Sequence, residues 1–124
     1  MQLQQNKSGI YRQIADYGID QVLSGAWIDG ERIPSVRQLA AEVGVNPNTV
    51  MNAYDHLKDM EIIETRRGLG FFVSEAGRRA ALAVRRAQFI EQELPRLRRT
   101  LEVLGISSTE LSKLLYPSQD HEQA

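Results

Sequence analysis

The chain has no cysteine, only two histidines, and no apolar run near the roughly 20 residues that a membrane span requires. Each absence removes a class of protein. Without cysteine there is no disulfide framework, no thiolate zinc site and no cysteine nucleophile. His56 and His121 lie far apart, and no nucleophile motif, phosphate loop or metal-ligand spacing accompanies either of them. An enzyme, a bound metal and a cofactor are therefore not expected. The stretch from Met1 to Gly9 is polar and lacks the apolar centre of a signal peptide, so a cytoplasmic protein without a membrane partner is expected. An excess of charge is missing as well. There are 15 Lys and Arg against 16 Asp and Glu, with seven against nine up to Ser74 and eight against seven from Glu75 onward. Any nucleic-acid surface must then come from local segregation of charge, since the bulk balance supplies none.

What is present is an ordinary globular composition, 42% hydrophobic and 25% charged, in 124 residues. That is enough for one modest core and an appendage. Residues 10–25 read as a helix with Ile10, Ile14 and Val22 on one face and Gly25 as its stop. Gly18 falls on that same face, where a larger apolar residue is expected. Asp29 to Pro34 reads as a turn leading into a short extended stretch. Ser35 is a natural cap for a second helix carrying Val36, Leu39, Ala40 and Val43, which Gly44 ends. Asn46-Pro47 opens a third helix, with Asn46 as cap and Pro47 at the first position, where no N–H is needed. Val50, Ala53, Tyr54 and Leu57 form its inner stripe. Two β-prone runs, Ile62 to Arg66 and Phe71 to Ser74, joined by Arg67-Gly68-Leu69-Gly70, make a hairpin. The fold class is thus mainly α with a β-hairpin wing: a winged helix-turn-helix followed by a helical region.

Function concentrates between Val36 and Leu57. Ala40 is small where two helices must cross, Gly44 sits at the sharp turn, and Val45 and Val50 plug the angle. Such a motif pushes the N-terminal end of its second helix into a DNA major groove. Asn48, Thr49 and Asn52 point outward there. Asparagine pairs bidentately with adenine, and threonine reaches a phosphate or a thymine methyl. The bland alternative is a solvated polar face. Ser35, Arg37 and Asn46 flank these positions and join the candidate set. Arg37 is placed for a phosphate or the groove edge, against the alternative of a surface ion pair. Arg66 and Arg67 at the hairpin tip, beside Gly68, form the best local basic cluster, suited to a minor groove, or else a solvated turn.

The motifs Ile10-Tyr-x-Gln-Ile14, Gly25, Ile33-Pro-Ser-x-Arg-x-Leu-Ala40, Gly44-Val-x-x-x-Thr-Val50, Ala53-Tyr54, Leu57 and Gly68-x-Gly-x-Phe-Val73 occur here in order. Over roughly residues 9–74 they resemble the N-terminal domain of GntR-family regulators. The short helical remainder and the wording Val45-Asn-Pro-Asn-Thr-Val50 are similar to the YtrA subfamily. Its members lack the large effector domain of most of the family and dimerise through a helical pair. The resemblance implies a winged helix with Arg37, Thr49 and Gly68 against DNA. This chain departs from the family at three positions. Pro47 stands where many members carry a DNA-contacting arginine, Ile33 replaces a leucine, and Glu61 replaces a glycine at a position that favours positive φ.

After Ser74, Ala76, Ala80, Ala83, Ala87, Ile90, Leu94, Leu97, Leu101 and Leu104 recur at steps of four and three, as a heptad seam along one helix. Pro95 is expected to kink or split that helix, and Gly105 to stop it. Ser107-x-x-Glu110 opens a last short helix through Leu111, Leu114 and Leu115. A second copy is the economical partner for the seam, with Ala83, Ala87, Ile90, Leu94, Leu97, Leu101 and Leu104 at the contact. Arg78-Arg79 and Arg85-Arg86 either approach DNA backbone or form a solvated helix face.

The expected division is a DNA-binding domain over 1–74, a helical dimerisation region over 75–117 and a polar tail over 118–124. The expected function is sequence-specific transcriptional regulation, by repression, on double-stranded DNA bound by a homodimer. Two rival readings are a winged helix used for protein contact and a ligand-gated variant with a small effector at the dimer interface.

Overall fold

The computed structural model describes residues 7–117. The expected polar tail and His121 lie outside the described residues. The chain forms α1 (Lys7–Ser24), α2 (Val36–Val43), α3 (Pro47–Asp59), β1 (Ile63–Arg66), β2 (Gly70–Val73), α4 (Gly77–Gln88), α5 (Leu94–Leu104) and α6 (Ser108–Leu115), with a π-helical turn over Phe89–Glu93. The described residues divide into two compact units, one ending at Arg85 and the other beginning at Arg86.

The first unit is built around α3, whose inner stripe of Val50, Ala53, Tyr54 and Leu57 is fully buried between α1 and α2. From α1, Ile14, Ala15, Ile19 and Val22 complete the floor of this core. Gly18 has its explanation here. A β-carbon at that position would lie 2.9 Å from Cδ1 of Leu57 and 3.3 Å from the Trp27 ring, so glycine lets α1 lie close on α3. Trp27, just past the end of α1, fills the space that a larger residue at 18 would have taken. Its ring meets Tyr17 and Tyr54 edge-on at 6.3 and 6.4 Å.

The hairpin pairs Ile63 with Val73, Glu64 with Phe72, Thr65 with Phe71 and Arg66 with Gly70. Alternation then sends Ile63 and Val73 into the core. The outer edge of β2 is covered by residues 30–33. Ile33 N–H donates to the Phe71 carbonyl, Val73 N–H to Glu31 and Gly30 N–H to Val73, each at 2.9 Å. The extended stretch before α2 therefore lines β2 through an isolated antiparallel bridge between Arg32 and Phe72, and β2 has no open edge there.

Where α3 ends, the chain reverses through Glu61 at φ 62°. Glu61 N–H donates to the Lys58 carbonyl at 2.9 Å, and Ile62 N–H to the Leu57 carbonyl at 3.0 Å. This is the Schellman arrangement, with buried Leu57 and Ile62 as its apolar pair. The departure from glycine thus keeps the left-handed turn and leaves its steric cost in place, about 1–2 kcal/mol for a residue with a β-carbon. Part of that gain is offset by the greater freedom of glycine in the unfolded chain. Glu61→Gly is accordingly expected to raise the unfolding free energy by about 0.5–1 kcal/mol, read as a higher urea midpoint. Glu61→Ala is the control, since it keeps the β-carbon and should bring no such gain.

α4 begins on the first unit, with Gly77 and Ala81 buried and Ala80 and Val84 partly buried. Its inward face is therefore offset from the seam read in the sequence, and Ala76, Ala83 and Ala87 stay exposed. Two arginines hold it down. Arg78 donates to the Leu23 carbonyl at 3.3 Å, and Asp29 caps its backbone N–H at 3.0 Å. Arg85 pairs with Asp20 at 2.8 Å and donates to the Asp16 carbonyl at 3.4 Å. Both arginines thus bind α1 or the turn after it, a role that the sequence did not suggest.

In the second unit the helix meets Pro95, which has no N–H to give and crowds the carbonyl one turn back. The accommodation is a π turn. Leu94 N–H reaches the Phe89 carbonyl, and Gln88, Glu93 and Leu94 all keep right-handed helical angles. The expected split therefore occurs just before the proline and is a widened turn. Gly105 ends α5 at φ 70°, and the Ser107 hydroxyl accepts the Glu110 N–H at 3.1 Å to start α6. Among the described residues no helix is long and apolar enough to cross a membrane.

Candidate nucleic-acid interface

The two helices of the motif are fixed at their starts by local chemistry. The Ser35 hydroxyl accepts the Gln38 N–H at 3.1 Å, and the Gln38 side chain accepts the Ser35 N–H at 2.8 Å, a reciprocal capping box. Gly44, at φ 76°, closes α2. The Asn46 side-chain oxygen accepts the Asn48 N–H at 2.8 Å, and Pro47 occupies the first turn of α3. One long-range bond ties the start of α2 to the middle of α3. The Tyr54 hydroxyl, inside the core, donates to the Pro34 carbonyl at 2.6 Å, next to the Ser35 cap. Burial pushes this hydroxyl well above the ordinary tyrosine range, so it stays a proton donor.

Around this frame Arg37, Asn46, Asn48 and Asn52 are exposed, while Ser35 and Thr49 are half-buried. Ser35 and Asn46 each use one side-chain oxygen for capping, which leaves Asn48 and Asn52 as the asparagines not so engaged. They lie one turn apart on the outer face of α3. Arg37 makes no ion pair among the described residues.

The wing separates its two arginines. Arg67 is exposed and unpaired among the described residues. Arg66 lies with its guanidinium 4.1 Å from the Phe72 ring centroid and its Nε 3.5 Å from Glu64. Arg66 is thus held on the hairpin's own face by a cation–π contact and an ion pair. Gly68, at φ 76°, and Gly70, at φ 110°, shape the tip. A further cation escaped the sequence reading. Arg32 is exposed in the segment that bridges to β2, and its guanidinium lies against Gly70, where a β-carbon would come within 3.3 Å of Nε. No sequence signal marks it, because its position depends on pairing with Phe72 forty residues away. His56, one turn beyond Asn52, is packed edge-on against Tyr11 at 5.9 Å. Among the described residues no three His, Cys, Asp or Glu gather to hold a metal.

Three helices, a tight turn between the second and third, and a wing laid against them define a winged helix-turn-helix protein. Residues 10–73 match the model of the bacterial regulatory proteins of the gntR family, and the chain belongs to that family. It is 37% identical over 105 residues to the HTH-type transcriptional repressor YtrA of Bacillus subtilis, covering 85% of this chain and 78% of that one. It is 39% identical over 71 residues to the HTH-type transcriptional regulator YhcF of the same organism. That match covers 57% of this chain and spans 59% of the YhcF length. Among solved structures, a GntR family transcriptional regulator from Listeria monocytogenes superposes with a TM-score of 0.71 at 30% identity, covering 87% of this chain and 93% of that one.

Proposed function

We propose that the chain is a transcriptional repressor that binds a pseudo-palindromic operator as a homodimer in the cytoplasm, and that it is not an enzyme. The observation that carries DNA reading is the pair of outward asparagines, Asn48 and Asn52, at the capped N-terminal end of α3. Ser35, Arg37, Asn46, Thr49, Arg67 and Gly68 surround that pair as phosphate or groove-edge contacts. Arg66 joins them by leaving its Glu64 partner for phosphate. Similarity to a protein named as a transcriptional repressor supports repression over activation.

In this reading residues 1–74 supply the DNA-binding domain and 75–117 the dimerisation region, the first half of α4 being seated on the first unit. The support for dimerisation is the apolar surface of the second unit. Ile90, Leu94 and Leu97 are 52%, 43% and 40% exposed, and Leu104 is exposed as well. Soluble monomers rarely leave so continuous a stripe uncovered. With Ala83, Ala87 and Leu101 it forms the proposed contact with a second copy. A two-fold dimer then places two recognition helices on half-sites about one helical turn apart.

Selection of bound sites from random duplex tests the proposal directly, with two inverted half-sites as the expected outcome. Asn48→Ala should weaken binding to the selected site about tenfold and leave binding to random duplex unchanged. Arg67→Ala should weaken both alike and lower the salt slope by about one. Equal losses for Asn48→Ala on selected and random DNA would remove it as a base reader. Recovery of no preferred site would favour protein contact as the use of this winged helix.

A further inference from the structure

Apolar side chains of α3 are sorted sharply. Val50, Ala53, Tyr54 and Leu57 are at most 1% exposed, whereas Met51 is 40% exposed and is not packed against the core. Helical spacing makes Met51 and Asn52, three and four residues after Asn48, its two neighbours one turn on, so they flank it on either side of the outer face. That face carries no cation before Lys58, and the next outward residue along it is Asp55. A surface of two amides and a thioether beside a carboxylate is poorly made for phosphate. It is well made for base edges. In a major groove the thymine C5 methyl is the apolar group on offer, and the same A·T pair presents the N7 acceptor and N6 donor that asparagine matches. Methionine is unbranched and adaptable, able to lie over a methyl group while the amides fix the register.

We infer that Met51 is a specificity-determining residue that packs on a thymine methyl, so that Asn48, Met51 and Asn52 together read an A·T step in each half-site. The inference rests on the proposal that α3 enters a major groove.

The test uses full-length protein and a selected operator in which each thymine is replaced, one position at a time in both half-sites, by deoxyuridine. This removes the C5 methyl and leaves every hydrogen-bonding edge intact. Binding is read by fluorescence anisotropy at fixed salt. At one thymine position the exchange should weaken wild-type binding about fourfold for each half-site, the effect of one buried methyl. Met51→Ala should lose the same factor on thymine DNA and nothing further on the deoxyuridine DNA. Met51→Leu should retain most of the methyl dependence. Because Met51 lies outside the core, the alanine variant should unfold at the wild-type midpoint, which keeps the comparison clean.

Wild-type binding indifferent to every exchange overturns the inference. So does a Met51→Ala protein that still suffers the full deoxyuridine loss. If no site is selected, or Asn48→Ala costs nothing, the groove reading itself falls and the inference with it. A selected, Asn48-dependent site that ignores the methyl sinks the Met51 role alone.

Discussion

Gly77→Ala is expected to destabilise the protein by about 3 kcal/mol, although glycine to alanine inside a helix ordinarily stabilises by about 1 kcal/mol. The reversal comes from what lies beneath the first turn of α4. A β-carbon at Gly77 would sit 2.6 Å from the Ile62 carbonyl oxygen and would collide with Cγ1 of Val73. Neither neighbour has room to give. The Ile62 carbonyl accepts the Ser74 N–H at 3.0 Å, and Val73 is fully buried. α4 is equally constrained, since Gly77 N–H donates to the Ser74 carbonyl at 2.9 Å and Asp29 caps Arg78 at 3.0 Å. The clash is therefore relieved only by lifting α4 from the hairpin, which exposes Ala81 and loosens the Arg78 and Arg85 anchors. Against a total stability of about 5–15 kcal/mol for a small domain, that is a large loss. Equilibrium urea unfolding measures it. An unchanged or raised midpoint would mean that α4 is not seated on the hairpin as described.

Gly77 also shows what the sequence could and could not convey. Features written in neighbouring residues were legible: the Ser35 and Asn46 caps, the Gly44 turn, the inner stripe of α3 and the hairpin with its glycine tip. Each of these is decided within a turn or two of chain. Features decided by contact across the fold were not. Gly18 looked like a gap in an apolar face because nothing local says that Leu57 and Trp27 come to meet it. Trp27 escaped the expected core because it lies beyond the end of α1. The alanines after Ser74 fit a heptad by spacing alone, yet the face that turns inward is set by how closely Gly77 and Ala81 approach the wing. Of the proposed interface, the asparagines were legible from helical spacing. The engagement of Arg66 by Phe72 and Glu64 required the strand register, and Arg32 required a pairing that no local pattern announces.

The other large effect is expected in DNA binding. Leu94→Asp combined with Leu97→Asp should convert the proposed dimer to a monomer and weaken operator binding by roughly 100-fold to 10,000-fold. Both leucines are exposed in the single chain, so the substitutions cost its core nothing. In a two-fold seam they place four carboxylates in an apolar contact, where burying unpaired charge is prohibitive and like charges repel. The consequence for DNA follows from how little the head holds by itself. The first unit has no cation on the outer face of α3 before Lys58, and Pro47 occupies a first-turn position that supplies no charge. A single half-site contact should therefore be weak, and most operator affinity should come from joining two heads at high effective concentration. Sedimentation equilibrium reads the first effect, and titration of full and half operators reads the second. Binding to a lone half-site should be unchanged by the double substitution, because that arm does not use the seam. A variant that stays dimeric would move the contact elsewhere, while a monomer that still binds the full operator with wild-type affinity would show that one head suffices.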